Sequence, residues 1–93
     1  MITAKEAERI AAERLHELYP KDNVISHGWA EDGESYAPML SLGRDLKGSP
    51  RFFVNKKTGE TEKFHYRPNL PIAARLKAMK VTKYLVPKVV ISP

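Results

Sequence analysis

Residues 51–66 read RFFVNKKTGETEKFHY, two β-prone runs on either side of Lys57-Thr58-Gly59. Phenylalanine, valine, threonine and tyrosine suit a pleated, half-buried surface. Glycine supplies the left-handed backbone that a short turn with a bulge needs. The segment predicts a β-hairpin with Gly59 at positive φ. In the first run Phe52 and Val54 face one side and Phe53 the other, and in the return run Phe64 and Tyr66 align. A helical pattern precedes this hairpin and two further possible strands lie between. That order places the chain among small α+β domains.

The helical pattern comes first. Thr3 and Glu6 have capping-box spacing, in which the hydroxyl serves one free amide and the carboxylate another. Ala7, Ile10, Ala11, Leu15 and Leu18 then recur at helical intervals, with charged residues over much of the remainder. Tyr19-Pro20 stops the helix, because proline disfavours helical geometry in the residue before it. Residues 23–30 and 35–42 are the next strand candidates, joined through Asp32-Gly33, a pair suited to a hairpin turn with positive φ. Extended, the first puts Ile25, His27 and Trp29 on one side. The second aligns Tyr36, Leu40 and Leu42 but contains Pro38, which cannot donate to a ladder and so predicts an edge strand or a bulge.

Residues 43–50 read as a loop. After the 51–66 hairpin, Arg67-Pro68-Asn69 breaks the chain, and Asn69 is placed to cap a short helix from Leu70, with Pro71 tolerated in its first turn. Ile72, Leu76 and Met79 give that helix one apolar side. Residues 84–93 are β-prone and fit an extra edge strand, a segment laid across the body, or an oligomer contact. Ninety-three residues, 42% hydrophobic and 29% charged, make one folded domain over 1–93 with a modest core. The expected core is Ile10, Leu15, Leu18, Ile25, Trp29, Leu40, Leu42, Phe52, Val54, Phe64, Ile72 and Leu76.

The chain has no cysteine, which removes disulfides, thiolate nucleophiles and sulfur-ligated metals. No apolar run reaches signal-peptide length or the roughly 18 residues of a membrane span. A soluble cytoplasmic protein without membrane contact is the expectation. His16, His27 and His65 have no metal-ligand spacing. Glu31, Asp32 and Glu34 cluster at a turn tip, where nothing drives their pKa values apart for acid–base work. The serines lie in no nucleophile-elbow context. Gly43 and Gly48 are too loosely set for a phosphate loop. The expectation is a protein that is not an enzyme, with no cofactor, no metal and no catalytic residue.

The charge is unevenly spread. Residues 1–50 carry 6 Lys/Arg against 9 Asp/Glu, and residues 51–93 carry 10 against 2. The basic half favours anionic partners by steering and local concentration, or is a solvated lysine-rich surface. Lys56, Lys57, Lys63, His65, Arg67, Arg75, Lys77, Lys80 and Lys83 are the candidate partner-binding residues. With Tyr66 among them they offer phosphate neutralisation and base stacking. Phe52 and Phe64 are better placed in a core.

The opening Ile2-Thr3-Ala4-Lys5-Glu6-Ala7 and the run Phe53-Val54-Asn55-Lys56-Lys57-Thr58-Gly59-Glu60 resemble small bacterial domains. Those domains begin I-T-x-x-E-A and carry a strand ending V-[DN]-K-x-T-G-E. The chain resembles the immunity protein 35 family and, more distantly, PepSY-type domains. The resemblance implies a non-enzymatic protein that binds and neutralises a cognate bacterial toxin, or a small inhibitory domain. It transfers no catalytic residues. The chain departs from it in being basic, where immunity proteins against nucleases are often acidic, and in residues 70–93, which have no counterpart.

The expected architecture is therefore α+β: an N-terminal helix packed on an antiparallel sheet of about four strands, then a short helix and an extended tail. The expected function is protein binding. A small basic nucleic-acid-binding accessory protein is the alternative, and a homodimer through the C-terminal tail is a further expectation.

Overall fold

The computed structural model describes residues 1–43, 50–65 and 71–93. Helix α1 (Ala4–Leu18) is followed by strands β1 (Val24–Glu31), β2 (Ser35–Leu42), β3 (Arg51–Asn55) and β4 (Thr61–Phe64). Helix α2 (Pro71–Ala78) and strand β5 (Lys80–Ile91) complete the order. The five strands form one antiparallel sheet in the order β4-β3-β2-β1-β5. This is the expected α+β class, with the tail recruited as a fifth strand beside β1. No helix among the described residues is long and apolar enough to cross a membrane.

Thr3 caps α1 with the capping box its sequence predicts: its hydroxyl accepts from the Glu6 amide, and Glu6 accepts from the Thr3 amide. Ala7, Ala11, Ala12 and Leu15 are buried against Val24, Leu42, Phe52 and Val54. The stripe continues to half-buried Tyr19, four residues beyond Leu15 and so one turn further along the same face. Leu18 falls off that line and is 50% exposed, contrary to its expected place in the core. Ile10 borders the stripe and is half-buried.

The opposite face of the sheet carries a second core. Ala30, Ala37, Phe53, Phe64 and Met79 gather there, covered by Ile72 and Leu76 of α2. Phe53 and Phe64 stack with ring centroids 4.3 Å apart. Alternation along β3 feeds both cores, with Phe52 and Val54 under α1 and Phe53 under α2. Phe53 was absent from the expected core because a single-core reading leaves its side of the strand unassigned.

β1 departs most from expectation. Its register against β2 shifts between Ser26 and Trp29, and its register against β5 shifts between Ser26 and Gly28. The extra residue is a bulge, and it reverses the alternation of faces. Val24 lies in the core under α1, whereas Ala30 lies in the core under α2. Ile25 and Trp29, expected side by side in one core, are half-buried on opposite faces. Gly28 takes φ +121° at the bulge, and a Cβ there would lie 2.0 Å from the Thr82 carbonyl oxygen. Only glycine fits.

Pro38 is buried in β2, an interior strand rather than an edge. It sits opposite Trp29, beside the β1 bulge, and the paired register of β2 with β3 runs only through Ser35 and Tyr36. The irregularity expected of a strand proline is therefore present, carried by its neighbours.

Both hairpin tips close with an Asx turn. Asp32 Oδ1 accepts from the amides of Glu34 and Ser35, each at 2.9 Å. Asn55 Oδ1 accepts from Lys57 and Thr58 at 2.8 and 3.1 Å. Gly59 has the expected positive φ, +76°. Gly33 does not, because the Asp32 side chain organises that tip without a left-handed residue. The expected cap Asn69 lies outside the described residues.

Candidate functional site

The sheet order disperses the basic residues singled out from the sequence. Lys56 Nζ pairs with Glu31 Oε1 at 3.1 Å and lies 4.7 Å from the Tyr36 ring centroid. Trp29 Nε1 donates to the other Glu31 oxygen at 3.0 Å. These two hydrogen bonds, the indole one foremost, lower the Glu31 pKa. Arg75 Nε donates to Asp32 Oδ2 at 2.8 Å, and its guanidinium carbon stands 4.3 Å from the Phe53 ring centroid. The Arg75 hydrogen bond holds the Asp32 carboxyl down at about 2. Lys56 and Arg75 thus tie the β1–β2 tip to β3 and α2.

The other candidates are exposed but scattered. Lys57 sits in the β3–β4 turn, Lys63 on edge strand β4, His65 just beyond it and Lys77 on α2. Lys80 and Lys83 lie on β5, at the opposite edge of the sheet from Lys63. Arg67 lies outside the described residues. Among the described residues, Lys80 and Lys83 share β5 but, three residues apart in unbroken register, stand on opposite faces of the sheet, and the other candidates lie apart from them.

β5 carries a different feature. Ser26 pairs with Lys88 and Gly28 with Lys83, so residues 84–87 of β5 have no counterparts on β1 and bow outward. Leu85 and Val86 are 103% and 72% exposed at this bow. Val81 and Val89 are exposed on either side.

Tyr84 anchors the root of the bow. Its hydroxyl donates to Glu8 Oε2 at 2.5 Å and accepts from Lys5 Nζ at 2.6 Å. Its ring packs edge-on against Trp29, with centroids 5.9 Å apart. Lys5 and Lys88 stand 4.5 and 4.7 Å from the Tyr84 ring centroid. Burial, foremost, and the Glu8 carboxylate push the Tyr84 phenol pKa up, while its hydrogen bond raises that of Lys5.

Glu8 is a buried carboxylate on the apolar stripe of α1. Ser26 Oγ donates to it at 2.6 Å, and Ser26 accepts from the Gly28 amide at 3.2 Å. A chain of donors thus runs from the β1 bulge through Ser26 to Glu8, and from Lys5 through Tyr84 to the same oxygen. Satisfied in this way, a buried carboxylate fixes geometry.

Sequence reading missed this cluster. Its one legible signal was position: Glu8 lies between Ala7 and Ala11 and four residues before Ala12, inside the helix's small-residue stripe. Its partners are distant in sequence and joined only by the sheet.

A concavity of about 190 Å³ lies beside the β3–β4 turn and includes Glu34, Glu60, Glu62 and Arg75 in its lining. Arg75 is already neutralised there by Asp32 and by Glu34 at 3.8 Å. Among the described residues no group of three His, Cys, Asp or Glu side chains is disposed to hold a metal ion. His27 Nε2 meets Ser41 Oγ at 2.8 Å on the face away from α1.

Comparison of the chain with protein-family models, with curated proteins and with solved structures finds no match to any of them.

Proposed function

We propose that this chain is a non-catalytic protein-binding module of immunity-like or inhibitory type. The observation that carries the reading is the outward bow of β5, where Leu85 and Val86 stand in solvent on a strand otherwise held to the sheet. Contiguous exposed apolar surface marks interaction sites where single scattered side chains do not, and here two adjacent aliphatic residues are exposed with Val81 and Val89 on either side along the strand. The ionisable groups best ordered by the fold, Glu8, Glu31, Asp32 and Arg75, are engaged with neighbouring side chains and serve the architecture. The resemblance of the first turn of α1 and of the β3–β4 turn to immunity domains points the same way.

The test is retention from cell extract at physiological salt, identification of the retained protein, and reconstitution of the complex from purified components. A stoichiometric reconstituted complex is the expected result. In parallel, fluorescence polarisation with mixed-sequence single-stranded DNA and RNA should show no binding at that salt. Micromolar binding that weakens steeply with salt would instead favour the nucleic-acid reading, because neutralised phosphates release condensed counterions.

A further inference from the structure

We propose that the bow at residues 84–87 is the docking element itself. In this arrangement Leu85 and Val86 enter an apolar pocket on a folded protein partner, and Lys80, Lys83 and Lys88 face an acidic rim around that pocket. The inference rests on the protein-binding reading above and assigns its surface.

Three observations carry it. First, the bow is built in advance. Tyr84 is held by Glu8, Lys5 and Trp29, and Pro87 restricts the backbone at the far end. A preformed loop avoids much of the ordering cost of association. Second, β5 carries Lys80, Lys83 and Lys88 and no carboxylate. The strand on either side of its apolar pair is therefore positive, with Lys80 and Lys83 on opposite faces of the sheet edge, which favours an acidic surround. Third, the register break against β1 interrupts the edge, so a partner strand cannot add along the whole of β5. Recognition then falls to side chains.

Other occupants fit less well. A second copy paired symmetrically through β5 would set these lysines close to their own counterparts, the arrangement by which natural sheet edges discourage self-association. Leucine and valine offer nucleic acid no stacking face. Two aliphatic side chains supply less apolar contact to a bilayer than one myristoyl chain, which alone binds only marginally.

The experiment uses the whole chain and the protein it retains, reconstituted and titrated by calorimetry. Leu85→Asp should weaken the complex on the order of 100-fold, because it drives a charge into an apolar pocket. Its urea midpoint should stay at the parent value, since Leu85 lies outside both cores. Val86→Ser should act in the same direction. A Lys83→Ala/Lys88→Ala double variant should bind more weakly and with a shallower salt dependence, whereas Lys63→Ala, at the far edge, should match the parent.

Parent-like binding by both Leu85→Asp and Val86→Ser overturns this surface and leaves the protein-binding reading standing. A chain that retains no protein overturns both. Sedimentation showing a dimer that Leu85→Asp dissolves would make a second copy the occupant and overturn the proposal. So would binding to phosphatidylserine-containing vesicles that the same variant abolishes.

Discussion

Three glycines separate what is local from what is not. Gly59 was legible from the sequence because its left-handed backbone belongs to a turn whose chemistry lies within five residues. Gly28 was not, because the atom that excludes a side chain there is the Thr82 carbonyl on a strand far along the chain. Gly33 looked essential and is not, since Asp32 does the work of its turn. Gly28→Ala should therefore cost about 3 kcal/mol or more, combining positive-φ strain with a clash that parts β1 from β5. Gly33→Ala should change the urea midpoint little. Thr3→Ala should cost about 1 kcal/mol through loss of the α1 cap, and an unchanged midpoint at unchanged m-value would refute it. At Asp32 the folded-state pKa is held near 2, below the ordinary value of 3.8. Its contribution to stability is thus complete above the ordinary value and is lost as pH falls from about 4 to about 2. Asp32→Asn keeps the turn acceptor and removes the titration, so its stability should fall less over that window in acid urea melts.

Between elements, the decisive event is the bulge in β1. Alternation was a sound guide for β3, where Phe52 and Val54 part from Phe53 as the pleat requires. It failed along β1, where one inserted residue exchanges the α1 face for the α2 face halfway along the strand. That exchange lets a single strand serve the α1 core at Val24 and the α2 core at Ala30. Ser26, on the α1 face with Val24 just before the bulge, donates to Glu8 and accepts from the Gly28 amide, so the helix and the bulge are coupled by a buried polar contact. Glu8→Leu should cost about 1–3 kcal/mol, because the hydroxyls of Ser26 and Tyr84 lose their acceptor. Tyr84→Phe in the same chain should add less than it does alone. A double-mutant cycle in urea should return a coupling of about 0.5–3 kcal/mol between the two residues. Strict additivity would mean the contact contributes nothing specific.

Across the molecule, composition announced a charge asymmetry but could not say where it falls. The sheet order decides that, sending Lys63 to one edge and the β5 lysines to the other, while Lys56 and Arg75 are taken up by Glu31 and Asp32. The helix-first, hairpin-rich architecture was readable because each of those elements is specified by near neighbours. The place of β5 was not, since a β-prone tail fits either edge until β1 offers its open side. That late, distant pairing has a consequence for how the molecule breathes. Every other strand contact closes a short connection, whereas Val24 reaches Ile91 and Glu31 reaches Lys80. β5 is thus the natural unit of local opening, and its amides should exchange with solvent at a lower free energy than those joining β1 to β2. While it is away, β1 becomes a bare edge with no lysine in it, free to accept β5 from a neighbour. Crowded or mildly destabilised samples should then form domain-swapped dimers.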